Sequence, residues 1–366
     1  MYFQIVDNTI KQQNRSTMKQ IIYLLPFFLI LIMLGSSCNK HDKHEDHTML
    51  NIDYPAAYVV NGQSNSLSVI NLSDNTVSET ICLNGATFPH HISINPAKTK
   101  LAIAITSTDL SGGHAGHAEA TEGLKVQIVN AKTGMIEKEI PLAKMPHNAI
   151  FNNAGTELWI GQSNDIQSQV LVYKTTDWTL QNSINVGKGV SEVTFSENGS
   201  VAFACNTTDG TVSIIDVNMK SVLATLTVGT DPIGAWPASN GNMYVDNETS
   251  QTISEISVSG LNVINTINLG FKPGYVAFHN ASSELWVSDA TNGRVVYYTF
   301  VSGSWSQQGT IITGQDAHAI AFNNDQSTAY VTNQGDGSVS VIDITTHVVI
   351  KKITVGSKPN GILLKE

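Results

Sequence analysis

From Ala329 to Leu364 the chain reads AYVTNQGDGSVSVIDITTHVVIKKITVGSKPNGILL, with apolar and polar positions alternating in short runs. Alternation of period two, bounded by Gly, Asp and Asn, predicts strands joined by tight turns. AYVTN, SVSVID and VIKKITVG are three such strands, and a fourth, more continuously apolar run of the HAIAFN type follows a short link. The same four-part unit recurs along the chain. Its first-strand markers are Tyr58, Ile103, Trp159, Phe203, Tyr244, Trp286 and Tyr330, spaced by 45, 56, 44, 41, 42 and 44 residues. A fixed period of this size signals a repeat architecture. Seven units of four short strands predict an all-β, seven-bladed β-propeller with four antiparallel strands per blade.

The phase of the repeat adds a prediction about closure. If HAIAFN-type runs are the inner strands, the C-terminal NGILLK supplies only an inner strand, and Tyr58 to Cys82 must supply the other three of that blade. The N- and C-terminal strands then join in one blade, and closure removes exposed sheet edges.

The wording of the units, in YVTN at Tyr330, YVVN at Tyr58, SVSVID at Ser338 and VSIID at Val212, resembles the YVTN family of seven-bladed propellers from Tyr54 to Glu366. That resemblance implies the fold and says little of function, because one scaffold hosts unrelated activities.

Ahead of the repeats, MKQIIYLLPFFLILIMLGSSCNK from Met18 has a lysine, an apolar run from Ile21 to Leu34, and small residues ending at Cys38. The run is short for a membrane span. It resembles a bacterial lipoprotein signal peptide, which implies a lipidated Cys38 and a protein anchored to a bacterial membrane, in the periplasm or at the cell surface. The expected organisation is a signal peptide over 1–37 with its true start at Met18, a polar His-rich tether over 38–53, and a propeller over 54–366.

The chain carries a net charge of −10. Residues 1–37 hold three basic side chains and one acidic one, so the remainder stands at −12, and nucleic acid is not an expected partner. A monomer is expected. Cys82 and Cys205 fall in different repeats without CxxC spacing, and both read as packed small hydrophobes. Trp159, Trp286 and Tyr244 recur at the repeat period and read as blade packing.

The histidines change the picture. The one long interval contains TSTDLSGGHAGHAEATEG, Thr106 to Gly123, an insertion between the second and third strands of a blade. Strands run up and down, so that loop lies on the face where the inner strands begin, beside the channel mouth. Aligning those beginnings (FPHHISIN, MPHNAIFN, GVSEVTFS, DPIGAWPA, KPGYVAFH, DAHAIAFN and KPNGILLK) brings His90, His147, Ser191, Ile233, Gly274, His318 and Asn360 to one ring level. Three imidazoles converging on the axis suit Zn²⁺ or Cu²⁺ with water or a fourth residue completing a tetrahedron. His91, His114, His117 and Glu192 are the candidates for that fourth ligand. His41, His44 and His47 in the tether are candidates for metal capture, and a His-rich segment beside a fixed site suggests capture and transfer.

Blander readings stand beside these. A ring histidine can simply hydrogen-bond a rim carbonyl, and His114, His117 and the tether histidines can be solvated polar chain. The combination of YVTN-like repeats, His-rich segments and an axial cluster is similar in architecture to propeller zinc metallochaperones of the AztD type, which implies delivery of zinc to a metal-uptake transport component. Two other function classes remain open on sequence: a binding scaffold for a protein or glycan, and a lactonase-like or cofactor-holding propeller enzyme. No GxSxG elbow or CxxCH is present, so neither an elbow serine nor covalent haem is expected.

Overall fold

The structure is a computed structural model that describes residues 49–111 and 122–366. Its described residues form twenty-eight strands, β1 (Ala56–Asn61) to β28 (Pro359–Lys365), in seven four-stranded antiparallel sheets. Six sheets use consecutive strands. The seventh has the order β28-β1-β2-β3, with β2 at Ser66–Asn71 and β3 at Thr76–Cys82, so the two ends of the repeat region share one blade as the phase of the repeat predicts. The inner strands are β28, β4 (Pro89–Ile94), β8 (Pro146–Phe151), β12 (Val190–Phe195), β16 (Pro232–Pro237), β20 (Pro273–His279) and β24 (Ala317–Phe322). Each contacts the next, and β28 contacts β4, which closes the ring.

The YVTN-like wording has a physical basis. Asn61, last residue of β1, donates from Nδ2 to Ser66 Oγ at 3.1 Å and Ser68 Oγ at 3.0 Å, and its Oδ1 accepts the Gly356 N–H at 3.1 Å. Asn247 repeats the arrangement with Thr252 and Ser254 at 3.1 and 3.0 Å and with the Gly229 N–H at 3.1 Å. Asn206 and Asn333 make the same side-chain pairs with Thr211 and Ser213, and with Ser338 and Ser340. One amide thus ties two strands together and, at Asn61 and Asn247, fixes the end of the link that leads from the outer strand to the next inner strand. Glycine is required opposite it: a Cβ on Gly356 would lie 2.6 Å from Asn61 Cγ.

Packing lies mainly between blades. Tyr58, Leu67, Leu101, Ile103 and Val129 form one cluster spanning the first two blades, and Ala57, Val59, Val339 and Val341 form the cluster across the closure, with Leu364 against it. Trp159, Trp286 and Tyr244 are fully buried, as their periodicity predicts. Burying side chains of this size stabilises by roughly 1.5–3 kcal/mol each. The outermost strands are mostly exposed, and β27 (Val348–Thr354) carries Lys351 and Lys352, charges that discourage edge-to-edge pairing.

Two expectations are corrected. Ile52, assigned to the tether, is fully buried in the first cluster, and its N–H donates to Lys132 O at 2.9 Å. An apolar residue beside the first blade finds a place in its core, so packing begins before Tyr54. Cys82 is exposed at the end of β3 and is not packed in the core, whereas Cys205 is the buried free thiol expected. The outward face of an outer strand gives Cys82 no core to fill. Residues 1–48, with Cys38, His41, His44 and His47, lie outside the described residues. So do His114 and His117.

Candidate metal centre at the hub

A left-handed residue precedes five of the seven inner strands: Phe88, Gly189, Asp231, Asp316 and Lys358 have φ between 49° and 64°. Such a φ is rare for residues other than Gly, and here it turns the chain sharply into the channel. A register shift follows at once. Pro89 pairs with Ile105 and Ile92 with Ile103, so His90 and His91 together oppose the single residue Ala104. The shift recurs at Pro146/Ala149, Val190/Val193, Pro232/Ala235 and Ala317/Ile320. A bulge leaves two residues opposite one and re-aims side chains. Here it offers two consecutive residues per blade to the hub, where simple alternation would offer one.

The first of these residues gives the predicted ring level of His90, His147 and His318, all buried. The second gives His91 and Glu192, also buried. The rings of His90 and His147 are 4.3 Å apart between centroids, those of His90 and His91 4.4 Å, and those of His90 and His318 6.4 Å. His91 Nε2 lies 3.1 Å and His147 Nδ1 3.6 Å from Glu192 Oε1. Asn148, next to His147, donates to Glu192 Oε2 at 3.4 Å and to Val193 O at 2.9 Å, and accepts the Val193 N–H at 3.0 Å. It therefore holds both the neighbouring bulge and the carboxylate. Gly361 faces the same point; a Cβ there would lie 3.1 Å from His91 Cα and from His90 O.

Among the described residues two triplets have ligand atoms all within 4.8 Å of one another: His90, His91 and His318, and His91, His147 and Glu192. Nitrogens around a tetrahedral Zn²⁺, bound at about 2.0–2.1 Å, are about 3.3 Å apart, so modest side-chain rotation would close either triplet on an ion. The five predicted residues described here are thus brought together, and His91 and Glu192 are as central as the ring histidines.

Three hub residues were not anticipated. Asp246 Oδ1 accepts from Trp236 Nε1 at 3.0 Å and from the Gly234 N–H at 3.2 Å, and Trp236 lies against Tyr275 with centroids 4.0 Å apart. Tyr275 was legible in principle, since it occupies the aligned column of His91 and Glu192. Asp246 replaces the threonine of YVTN; in the last complete blade Thr332 Oγ1 accepts the Ala319 N–H at 3.0 Å in the same way. Burial holds the Asp246 carboxyl well above the usual carboxylate range, and the Glu192 charge adds to the effect. Burial first, then Glu192 and Asp246, raise the Tyr275 phenol; burial, Asp246 and Glu192 do the same to the Cys205 thiol. A second negative charge beside Glu192 is thus disfavoured in the buried hub, and a bound cation would relieve that penalty.

The remaining described histidines are structural. His279 bonds Ser282 Oγ at 2.6 Å and Gln326 O at 2.9 Å, while His347 stacks on Tyr297 and lies 3.1 Å from Glu284.

Below the cluster, His91, Ser93, Asn148, Glu192, Thr194 and Tyr275 line a cavity of about 80 Å³. Above it a recess of about 140 Å³ is lined by His318, Asp316, Glu248, Lys272 and, from the insertion, Leu110 and Ser111. The base of the insertion thus stands at the channel mouth, where the strand directions put it.

No family model matches the chain, and no curated protein matches it. Solved structures do. The periplasmic gluconolactonase PpgL of Pseudomonas aeruginosa superposes with a TM-score of 0.67 at 15% identity, covering 85% of this chain and 99% of that one. A functionally unknown protein from Desulfotomaculum acetoxidans gives 0.68 at 11%, covering 84% and 98%. Hydrazine synthase from Kuenenia stuttgartiensis gives 0.62 at 14%, covering 75% and 88%. At these identities the likeness is one of fold, a seven-bladed propeller.

Proposed function

We propose that the hub binds a transition-metal cation, zinc in the first place and copper as the competitor, and that the protein is a lipid-anchored metallochaperone or metal buffer outside the cytoplasm. The observation that carries this reading is the buried group of four imidazoles and one carboxylate, with ligand atoms of each triplet within 4.8 Å. Imidazole and carboxylate suit zinc, and imidazole suits copper as well. The buried Glu192 carboxylate among the imidazoles supports a cation, and size supports an ion over an organic substrate. The two spaces of about 80 and 140 Å³ fall below the roughly 300–1,000 Å³ of ordinary small-molecule sites. That argues against the lactonase activity named for the Pseudomonas neighbour.

Anchoring through Cys38, a periplasmic or surface location, membership of the YVTN group and delivery to an uptake transporter in the AztD manner rest on sequence resemblance. The intact mass of the protein purified from membranes tests for a lipid on Cys38.

The test is metal content by mass spectrometry after equilibration with buffered Zn²⁺. One ion per chain is expected, lost when His90, His147 and His318 are all replaced by alanine. Retention of zinc by the triple variant, or none in the wild type, overturns the reading. Capture of a protein or glycan partner in chelator would favour the scaffold reading instead.

A further inference from the structure

We propose that the hub is two overlapping cation subsites in series, used one at a time and sharing His91. The inference rests on the metal-binding reading and adds to it a route through the site.

The five ligand residues do not form one mutually close set. They fall into His90, His91 and His318 on one side and His91, His147 and Glu192 on the other, with His91 common to both. The two sides also open onto different spaces. His318 lines the recess at the channel mouth, beneath Leu110 and Ser111. His91 and Glu192 line the cavity farther along the inner strands, together with Ser93, Asn148 and Thr194. An outer subsite of three imidazoles therefore faces the mouth, and an inner one of two imidazoles and a carboxylate faces the channel interior.

The two differ in charge. Three neutral imidazoles leave a divalent ion with its full charge, whereas Glu192 neutralises half of it in a setting remote from water. Asn148 orients that carboxylate from the blade of His147. An ion arriving at the mouth meets imidazole first. It can then exchange His90 and His318 for His147 and Glu192 while His91 stays bound. Exchange of ligands one at a time avoids a bare ion in a buried site, which is costly, and it lets a buried site load and unload. A single closed four-ligand site offers no neighbouring protein ligands to take over as its own leave.

Co²⁺ serves as the probe, because its absorption in the visible depends on whether it is held by three nitrogens or by two nitrogens and an oxygen. The wild type, H318A, E192Q and H91A are titrated with Co²⁺ and in parallel with Zn²⁺ by native mass spectrometry, and circular dichroism checks each fold. The wild type is expected to hold one ion with a spectrum equal to a weighted sum of those of H318A and E192Q. H318A and E192Q should each keep one ion with distinct spectra. H91A should lose binding at least a hundredfold, and H91Q replaces it if H91A fails to fold. The proposal is overturned if H318A and E192Q have the same spectrum, if either loses binding as completely as H91A, or if the wild type holds two ions at once. A wild type that holds no ion overturns the metal-binding reading itself, whereas a single indivisible site overturns only this inference.

Discussion

His91 Nε2 stands 3.1 Å from Glu192 Oε1 across the hub, a contact between residues 101 positions apart that exists because two separate bulges turn their second residues inward. Glu192 also faces His147 at 3.6 Å. Replacing it by glutamine keeps the volume and the Asn148 contact but removes the charge. We expect E192Q to fold normally and to bind Zn²⁺ at least tenfold more weakly, since even residues behind the ligands are worth roughly 10- to 100-fold in affinity. Competition with a chromophoric chelator measures it. Unchanged affinity would place the ion wholly among the imidazoles.

Binding to the folded protein alone must raise its stability. At free Zn²⁺ one hundred times the dissociation constant the gain is about 2.7 kcal/mol. A rise in Tm of several degrees, reversed by chelator and abolished in the His90, His147 and His318 triple alanine variant, is expected in thermal melts. A melt insensitive to both Zn²⁺ and chelator would contradict it.

Much of this was legible in the chain. The repeat of Tyr58, Trp159 and Tyr330 specifies the blades, and the C-terminal NGILLK specifies the closure, because an alternating pattern reports which face is buried. The ring of His90, His147 and His318 follows from aligning strand beginnings. The bulge does not: periodicity assumes strict alternation, under which His91 and Glu192 would point away from their neighbours. Asp246 was hidden for a related reason. It lies in a second strand and reaches the hub only because the bulge leaves the Gly234 N–H for its carboxylate to accept. Ile52 was misplaced because its segment has no period of its own, and only the neighbouring blade buries it.

Asp246 makes stability depend on pH with a definite sign. Its carboxyl is raised in the folded state, chiefly by burial, above the unfolded value near 4. Its stabilising contribution is therefore complete below about pH 4 and is lost as pH rises through the folded value. In metal-free protein, D246N should remove this loss, because an amide oxygen can still accept from Trp236 and Gly234. The stability of D246N relative to wild type is expected to grow as pH rises from 4 toward neutrality. Urea melts in chelator at pH 4, 5.5 and 7 measure the trend; a constant difference would mean that the Asp246 carboxyl titrates alike in the folded and unfolded protein.

Ring closure should be indispensable, while the location of the chain ends should not matter. β28 pairs with β1 from Ala56↔Lys365 to Asn61↔Pro359, places Asn360 and Gly361 at the hub, and packs Ile362 and Leu364 against the closing cluster. Lys365 Nζ further donates to Ile52 O at 2.6 Å. Deleting residues 359–366 strips β1 of its partner, opens the channel and exposes an apolar edge. The loss should exceed the roughly 5–15 kcal/mol that holds a typical protein folded, leaving an aggregating chain. A permutant that joins Glu366 to Leu50 by a flexible linker and opens the exposed turn at 345–346 keeps every pairing and should melt within a few degrees of wild type. Gel filtration and thermal melts distinguish the outcomes. A truncated protein that stays monomeric with the wild-type Tm would show that the seventh blade does not need its inner strand, and would remove the closed hub on which the metal centre depends.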